Sequence, residues 1–258
     1  MKITCLLENT SAREELFPEH GLSLLIQTEA HRILFDMGQT DRFAKNAERL
    51  GEDLSTVDLA ILSHGHYDHG GGLPTFLTLN NAAPIYVSRH AFGDYYNGEG
   101  KYIGLDKSLQ NHPRLILTAD QQAIDKGLTL YSCNQHPRPN FPGYFGLTQK
   151  IGDGFADDEF LHEQYLLLEE KGKRILISGC SHKGIPDIVQ WFAPDVLVGG
   201  FHFCKMPMDH RLEQLAKMLG KQKTTYYTCH CTGRAQYDFM KPYIRDLHAL
   251  SCGDCIVI

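Results

Sequence analysis

The 258-residue sequence predicts a single mixed α/β domain over residues 1–258, and three observations carry that expectation. Short apolar, β-branched runs recur along the chain, helical patterns fall between some of them, and no Pro/Gly/Ser linker or recognisable internal repeat divides it. A chain of this length buries roughly three quarters of its extended surface, so it needs no disulfide staples.

In order, the strand candidates are Lys2 to Leu7, Leu22 to Gln27, Arg32 to Asp36, Leu59 to Ser63, Ile85 to Ser88, Leu128 to Ser132, Gln164 to Glu169, Arg174 to Ser178, Asp195 to Gly199, Thr224 to Cys229 and Cys255 to Ile258. Each is short and rich in Ile, Val, Leu, Thr, Phe or Tyr. Helical patterns occupy Asp41 to Leu50, Gly184 to Phe192, Asp209 to Leu219 and Arg234 to Leu247, the last bent or started late at Pro242. Asn97 to Pro113 and His136 to Asp158 are rich in Gly, Pro and polar residues and read as long loops, the kind that often line a substrate site.

Charge and hydropathy exclude several functions. The chain carries 25 basic and 31 acidic residues for a net charge of −6 and has no long run of either sign, so nucleic-acid binding is not expected. No apolar run reaches membrane-span length, and Met1 to Phe17 carries Glu8, Arg13, Glu14 and Glu15 where a signal peptide needs an apolar stretch. The expectation is a soluble, cytoplasmic chain, off the membrane, whose eight cysteines stay reduced or bind metal.

The sharpest chemical signal is His64-Gly65-His66-Tyr67-Asp68-His69, followed by Gly70-Gly71-Gly72, immediately after a strand candidate. Residues two apart do not share a helix face, and the glycines oppose a helix, so the segment reads as an extended turn. In that geometry His64, His66 and Asp68 project to one side and His69 elsewhere, so that two histidines serve one cation and Asp68 with His69 a second. Further ligands would have to come from other strand ends. Cys180 and His182 follow one apolar strand, and His230 follows another.

The HGHYDH segment resembles the signature of the metallo-β-lactamase superfamily, and the similarity covers most of the chain. The resemblance implies a four-layer αββα sandwich with a dinuclear metal site between the sheets. Glu19 to Ser23, Asp157 to Gln164, Gly179 to Ile185, Gly199 to His202 and His230 to Gly233 further resemble the branch named for dihydropterin-methyl-ribofuranosylaminobenzene-phosphate synthase. Residue by residue, it implies that His64 and His66 bind the first metal, Asp68 and His69 the second, and that His230 is the last histidine ligand. Cys180 falls where the superfamily commonly has a metal-bridging Asp, and where some members have Cys; a small buried Cys is also ordinary core filling. The usual Gly-His turn is missing between His136 and His162. His182 is expected to supply that ligand from the Cys180 side, the alternative being support of another ligand or contact with substrate.

Weaker features surround these. His202, after Gly199-Gly200, is a candidate proton donor, and Glu19 and His20 are placed near the rim. Strand alternation points Cys229 and Cys231 away from the metal that His230 faces. Cys252-Gly253-Asp254-Cys255 has redox spacing but no following helix. Gly70 to Gly72 could present N–H groups to an anion, and Lys183, Arg138, Lys205 or Arg234 could neutralise one.

The resemblance therefore implies a metal-dependent hydrolase or transferase using two divalent ions and a metal-bridging hydroxide, with Asp68 and His202 as catalytic residues. Its substrate would be a phosphorylated, ester or pterin-like small molecule, which could be anionic. Zinc is expected if Cys180 is a ligand, and manganese or iron stays open beside it if only N and O donors contact the ions. The branch name implies joining of a dihydropterin methyl group to a ribofuranosylaminobenzene phosphate with loss of pyrophosphate. The rival readings are a non-catalytic metal-binding or sensor protein and a di-iron redox enzyme.

Overall fold

A computed structural model describes residues 1–258. The first half of the chain runs β1 (Lys2–Leu7), β2 (Ser23–Gln27), β3 (Arg32–Phe35), α1 (Arg42–Arg49), β4 (Leu59–Ile61), α2 (Tyr67–Gly70), α3 (Leu73–Leu79), β5 (Ile85–Ser88), β6 (Tyr95–Tyr96) and β7 (Leu115–Thr118). It continues through β8 (Gln121–Asp125), β9 (Leu128–Tyr131), β10 (Thr148–Ile151), β11 (Gly154–Asp157), β12 (Tyr165–Glu170), β13 (Lys173–Ile177) and α4 (Ile185–Phe192). The last part holds β14 (Val196–Val198), α5 (His210–Gly220), β15 (Thr225–Thr228), α6 (Arg234–Met240), β16 (Leu247–Ala249) and β17 (Cys255–Val257). Two seven-stranded sheets result, β17-β1-β2-β3-β4-β5-β7 and β16-β15-β14-β13-β12-β9-β8, beside a three-stranded sheet β11-β10-β6.

Strand alternation builds the layers. Leu24 and Ile26 of β2 join Leu166 and Leu168 of β12 and Ile175 and Ile177 of β13 in a core between the two large sheets. Leu25, one residue out of phase, packs instead with Phe43 and Ala47 of α1 and Leu73 and Phe76 of α3. On the far side Leu167, Leu176, Leu197 and Tyr226 meet Ile188 of α4, Leu212 and Leu219 of α5 and Met240 of α6. Each fully buried aliphatic side chain contributes about 1.5–3 kcal/mol of transfer free energy, and the period of two divides that burial between both faces of each sheet. The arrangement is an αββα sandwich. No helix is long and apolar enough to cross a membrane.

All the expected strands form, with ends shifted by a residue or two at most of them. The HGHYDH segment departs from expectation: His66 is extended (φ −97°, ψ 146°), but Tyr67–Gly70 makes one helical turn, with Gly70 N–H donating to the His66 carbonyl. That turn swings His69 back beside His64, with ring centroids 4.2 Å apart. Contacts with the rest of the fold outweigh the weak helix propensity of the glycines. Gly71 and Gly72 donate to the Tyr67 and Gly38 carbonyls, so with Gly70 these N–H groups are spent and form no anion cradle. Helix α3 follows at once. The stretch read as a loop at His136 to Asp158 contains the β10–β11 hairpin, and α6 stops at Met240, just ahead of Pro242, instead of bending through it.

In the first sheet β3, β4, β5 and β7 run parallel, and in the second β13, β14, β15 and β16 do. The motif residues leave the carboxyl ends of these strands: Asp36 after β3, Ser63 to His69 after β4, Cys180 and His182 after β13, His202 after β14 and His230 after β15. Parallel strands present all of those ends at one rim.

Candidate metal centre

The rim loops bring seven histidines, an aspartate and two cysteines together. Ring nitrogens of His64, His66 and His182 lie within 4.8 Å of one another, as do donors of His64, His69 and Cys180, of Cys180, His182 and His202, and of His20, Asp68 and His230. Every residue expected at the metal site is in this cluster, and all but His202, which is half-buried, are buried. Asp36, Ser181, His202 and His230 adopt left-handed backbone (φ 58°, 58°, 54° and 51°). Such conformations cost about 1–3 kcal/mol each in non-glycine residues and persist only where the surroundings impose them. Here they redirect the chain just past a strand end, so extrapolating strand alternation into the loops fails.

The outer partners set the tautomers. Asp36, wholly buried, accepts from Ser63 N–H and Ser63 O–H at 2.7 Å each and lies 2.7 Å from His69 Nδ1. A carboxylate only accepts, so His69 Nδ1 carries a proton and Nε2 is left for the site. Ser63 has spent its one proton on Asp36, so its Oγ, 2.8 Å from His64 Nδ1, accepts there and leaves His64 Nε2 free as well. His230 Nδ1 faces the Asn9 Oδ1 acceptor at 2.9 Å, with the same consequence.

The freed nitrogens point at each other. His69 Nε2 is 3.1 Å from His230 Nε2 and 3.2 Å from Cys180 Sγ, and His64 Nε2 is 3.3 Å from His182 Nε2. Asp68 Oδ2 adds to this group, 3.3 Å from His230 Nε2 and 3.2 Å from His20 Nε2. Lone pairs facing one another at such distances repel unless a proton or a cation lies between them. His66 Nε2 and His182 Nδ1 are buried without any hydrogen-bond partner. Facing lone pairs, orphaned imidazole nitrogens, a carboxylate and a thiol make a donor set that fits divalent cations.

Electrostatics agree. Burial drives His64, His66 and His182 below the usual histidine value, and neighbouring imidazoles add to the effect at His64 and His182. Neutral imidazole is the form that binds metal. Burial opposes the cation at His69 too, yet Asp36 and Asp68 overcome it and raise His69 to about 9. Burial would raise Asp68, but His69, His20 and His230 hold it well below the ordinary carboxylate range. In the metal-free chain a proton on His69 thus takes the place of a cation.

Several supporting residues carried no sequence signal of their own. Asp36 and Ser63 merely end strands, and Asn9 lies far from any motif. His162 accepts from Gly65 N–H at 2.9 Å through Nδ1 and lies 2.9 Å from Asp158 Oδ2 through Nε2, which pins the HGH turn. Glu163 accepts from the backbone N–H groups of His182 and Lys183 at 2.7 and 3.1 Å. Lys183 itself is buried, donating to the Ser132 and Glu163 carbonyls and to Asn134 Oδ1, so it cannot neutralise a substrate anion. Arg138 and Arg234 pair with Glu159 and Asp238. Glu19 is a strut, accepting from Gln39 N–H, Thr40 N–H and Thr40 O–H. Cys231 corrects the alternation argument: the left-handed turn at His230 brings its sulfur beside Cys180, whereas Cys229 does lie in the inter-sheet core. Cys252 is buried and Cys255 exposed, both as free thiols.

Comparison with known proteins places these features in a wider setting. The profile of the metallo-beta-lactamase superfamily matches residues 16–230. An uncharacterised protein of Methanocaldococcus jannaschii is 32% identical over 241 residues, which make up 90% of each chain. The 7,8-dihydropterin-6-methyl-4-(beta-D-ribofuranosyl)-aminobenzene-5'-phosphate synthase of the same organism is 29% identical, over 99% of this chain and 96% of its own. Among solved structures, a metal-dependent hydrolase of the beta-lactamase superfamily superposes with a TM-score of 0.85 at 29% identity, over 100% of this chain and 99% of that one.

Proposed function

The chain belongs to the metallo-β-lactamase superfamily, and from that premise we propose that it is a metal-dependent hydrolase or transferase acting through two divalent cations on a phosphorylated, ester or pterin-like small molecule. His64, His66 and His182 would hold one cation and Asp68, His69 and His230 the other, with Cys180 between them. The observation that carries this reading is the pair of facing nitrogens, His69 with His230 and His64 with His182, each ring but the last turned inward by an outer acceptor. When bound, such cations supply Lewis acidity and lower the pKa of water toward neutrality.

The protein's own groups divide the remaining work. Asp68, 3.2 Å from His20 Nε2 and 3.3 Å from His230 Nε2 and kept ionised by its neighbours, would accept a hydrogen bond from an attacking group and orient it. His202, with its ring centroid 4.1 Å from that of His182 and its Nδ1 unpartnered, would donate a proton to the leaving group. Burial of the imidazoles keeps bulk water from competing for the donors. A thiolate at Cys180 favours zinc, whereas N and O donors alone would admit manganese or iron. The named synthase, similar over nearly the whole chain, supports a pterin-like phosphate as substrate and group transfer beside hydrolysis. Eight free thiols accord with action in the cytoplasm.

The test combines metal analysis with a panel of phosphoesters, lactones and pterin phosphates. Two cations per chain are expected, with turnover lost on chelation or in Asp68→Ala and restored to the chelated protein by zinc or manganese. Full turnover in the metal-stripped protein and in a folded Asp68→Ala variant would refute the proposal.

A further inference from the structure

Resting on the dinuclear reading, we infer that Cys231 is a second thiolate donor, which with Cys180 and His230 gives the centre a sulfur-rich edge selective for a thiophilic divalent cation. Cys180 Sγ, Cys231 Sγ and a ring nitrogen of His230 lie within 4.8 Å of one another. Donors bound at about 2.3 Å for sulfur and about 2.0 Å for nitrogen sit at most about 4.6 Å apart around one cation, so sub-ångström shifts close this triangle on a metal.

Three features separate Cys231 from a space-filling thiol. The left-handed His230 (φ 51°) turns Cys231 out of the strand's alternation and under Cys180. The backbone N–H of His202 donates to Cys231 Sγ at 3.3 Å, an outer hydrogen bond of the kind that supports a thiolate ligand. Finally, any Cβ on Gly200 would fall inside the envelope of that sulfur and 3.1 Å from the Gly179 carbonyl, so a glycine there leaves the space Cys231 fills. Cys5 and Cys229 provide the contrast: they pack among Ile3, Leu24 and Val198 in the apolar core between the sheets. Thiolates are soft donors, so an edge with two of them takes zinc or cadmium in preference to manganese or magnesium.

The experiment loads the full chain with cobalt(II) and records its thiolate-to-metal charge-transfer absorption. Cys231→Ser is expected to keep about half the wild-type intensity, since one of two thiolates remains, and to bind cobalt more than about 100-fold less tightly, beyond the roughly 10–100-fold that loss of an outer partner costs. Cys180→Ser/Cys231→Ser is expected to lose the band, and Cys229→Ser to leave it unchanged. Zinc-edge X-ray absorption of the wild-type protein, in which a Cys180 between the cations counts at both, should show three zinc–sulfur contacts near 2.3 Å per zinc pair against two for Cys180 alone, which decides the matter even if a variant fails to fold. A Cys231→Ser variant with wild-type band and affinity, or no more than two zinc–sulfur contacts per zinc pair in the wild-type spectrum, overturns the inference. Cobalt held stoichiometrically without charge transfer overturns it while leaving the histidine–aspartate centre intact; wild-type protein that binds no cobalt overturns both.

Discussion

Replacing Asp36 by Asn preserves shape and removes one charge, and so isolates what this buried carboxylate does for the centre. Asp36 is wholly buried and accepts from Ser63 N–H, Ser63 O–H and His69 Nδ1–H, each at 2.7 Å. An amide has one accepting oxygen, so its NH2 must confront either the Ser63 backbone N–H, which Oδ1 now accepts, or the Ser63 hydroxyl and the His69 N–H together, which share Oδ2. Hydrogen bonds to a charged acceptor contribute about 1.5–3 kcal/mol each, and breaking a buried charge pair costs about 3–5 kcal/mol. His69 can escape part of that penalty by shedding its proton, so a loss near the low end, about 3 kcal/mol, is expected for the metal-free protein at pH 7. At about 2–4 °C per kcal/mol this lowers Tm by about 6–12 °C. With the His69 ring no longer pinned, cation affinity should fall about 10–100-fold, as it does when other outer partners of metal-binding histidines are removed. The pH dependence gives an independent sign. Wild-type His69, raised to about 9, holds a proton at neutral pH that a cation must displace, so wild-type affinity climbs with pH until about pH 9. Removing the Asp36 charge lowers the His69 pKa, so that climb should level off at a lower pH in the variant. Calorimetric melting of the chelated protein and competition with a chromophoric chelator from pH 6 to about 9.5 measure both. A variant with wild-type Tm and an unchanged affinity profile would show that Asp36 does not orient His69.

Four further outcomes are expected. Gly21→Ala should destabilise by more than about 1–3 kcal/mol in urea unfolding, because φ is +150° and a Cβ would press on the Asp68 carbonyl; wild-type stability would contradict this. His202→Ala should lower kcat about 10²-fold or more without changing cations bound per chain, whereas loss of a cation would make His202 a ligand instead. Burial lowers Lys183 to about 8 while the unfolded chain keeps the ordinary value near 10.4, so between those limits the unfolded state holds a proton the folded state has shed, and stability rises with pH. Relative to Lys183→Met, the wild type should therefore gain on the order of 2–3 kcal/mol between about pH 8 and pH 10, and a pH-independent difference would refute this. Lastly, residues 1–258 are proposed to fold as one unit, so the metal-free chain should melt in a single transition seen alike by far- and near-ultraviolet circular dichroism; two separated transitions would divide it.

The elements were largely legible because strand formation here follows local pattern. In β2, Leu24 and Ile26 on one side and Leu25 on the other state a two-faced burial that any reader of period two recovers. The short β10–β11 hairpin escaped because its residues are mostly exposed, leaving no apolar alternation to read. Helix α3 was hidden behind three glycines whose low propensity is outweighed by the packing of Leu73 and Phe76.

The amino-acid sequence by itself determined which donors are available: His64, His66, Asp68 and His69 stand out by the spacing of one motif, and Cys180, His182, His202 and His230 became candidates because they stand just past strands and because of the family resemblance. Only the tertiary structure decided how they combine. The left-handed turns at Ser181, His202 and His230 set which way the chain leaves each strand, and they exist because the packed sheets impose them. Hence Cys231 faces Cys180, Lys183 is spent on carbonyls, and Asp36, Ser63 and Asn9, mute in sequence, fix the tautomers. Residue type is a local property, whereas the aim of a lone pair depends on partners that only the fold brings up, Asp36 for His69 from 33 positions away and Asn9 for His230 from 221.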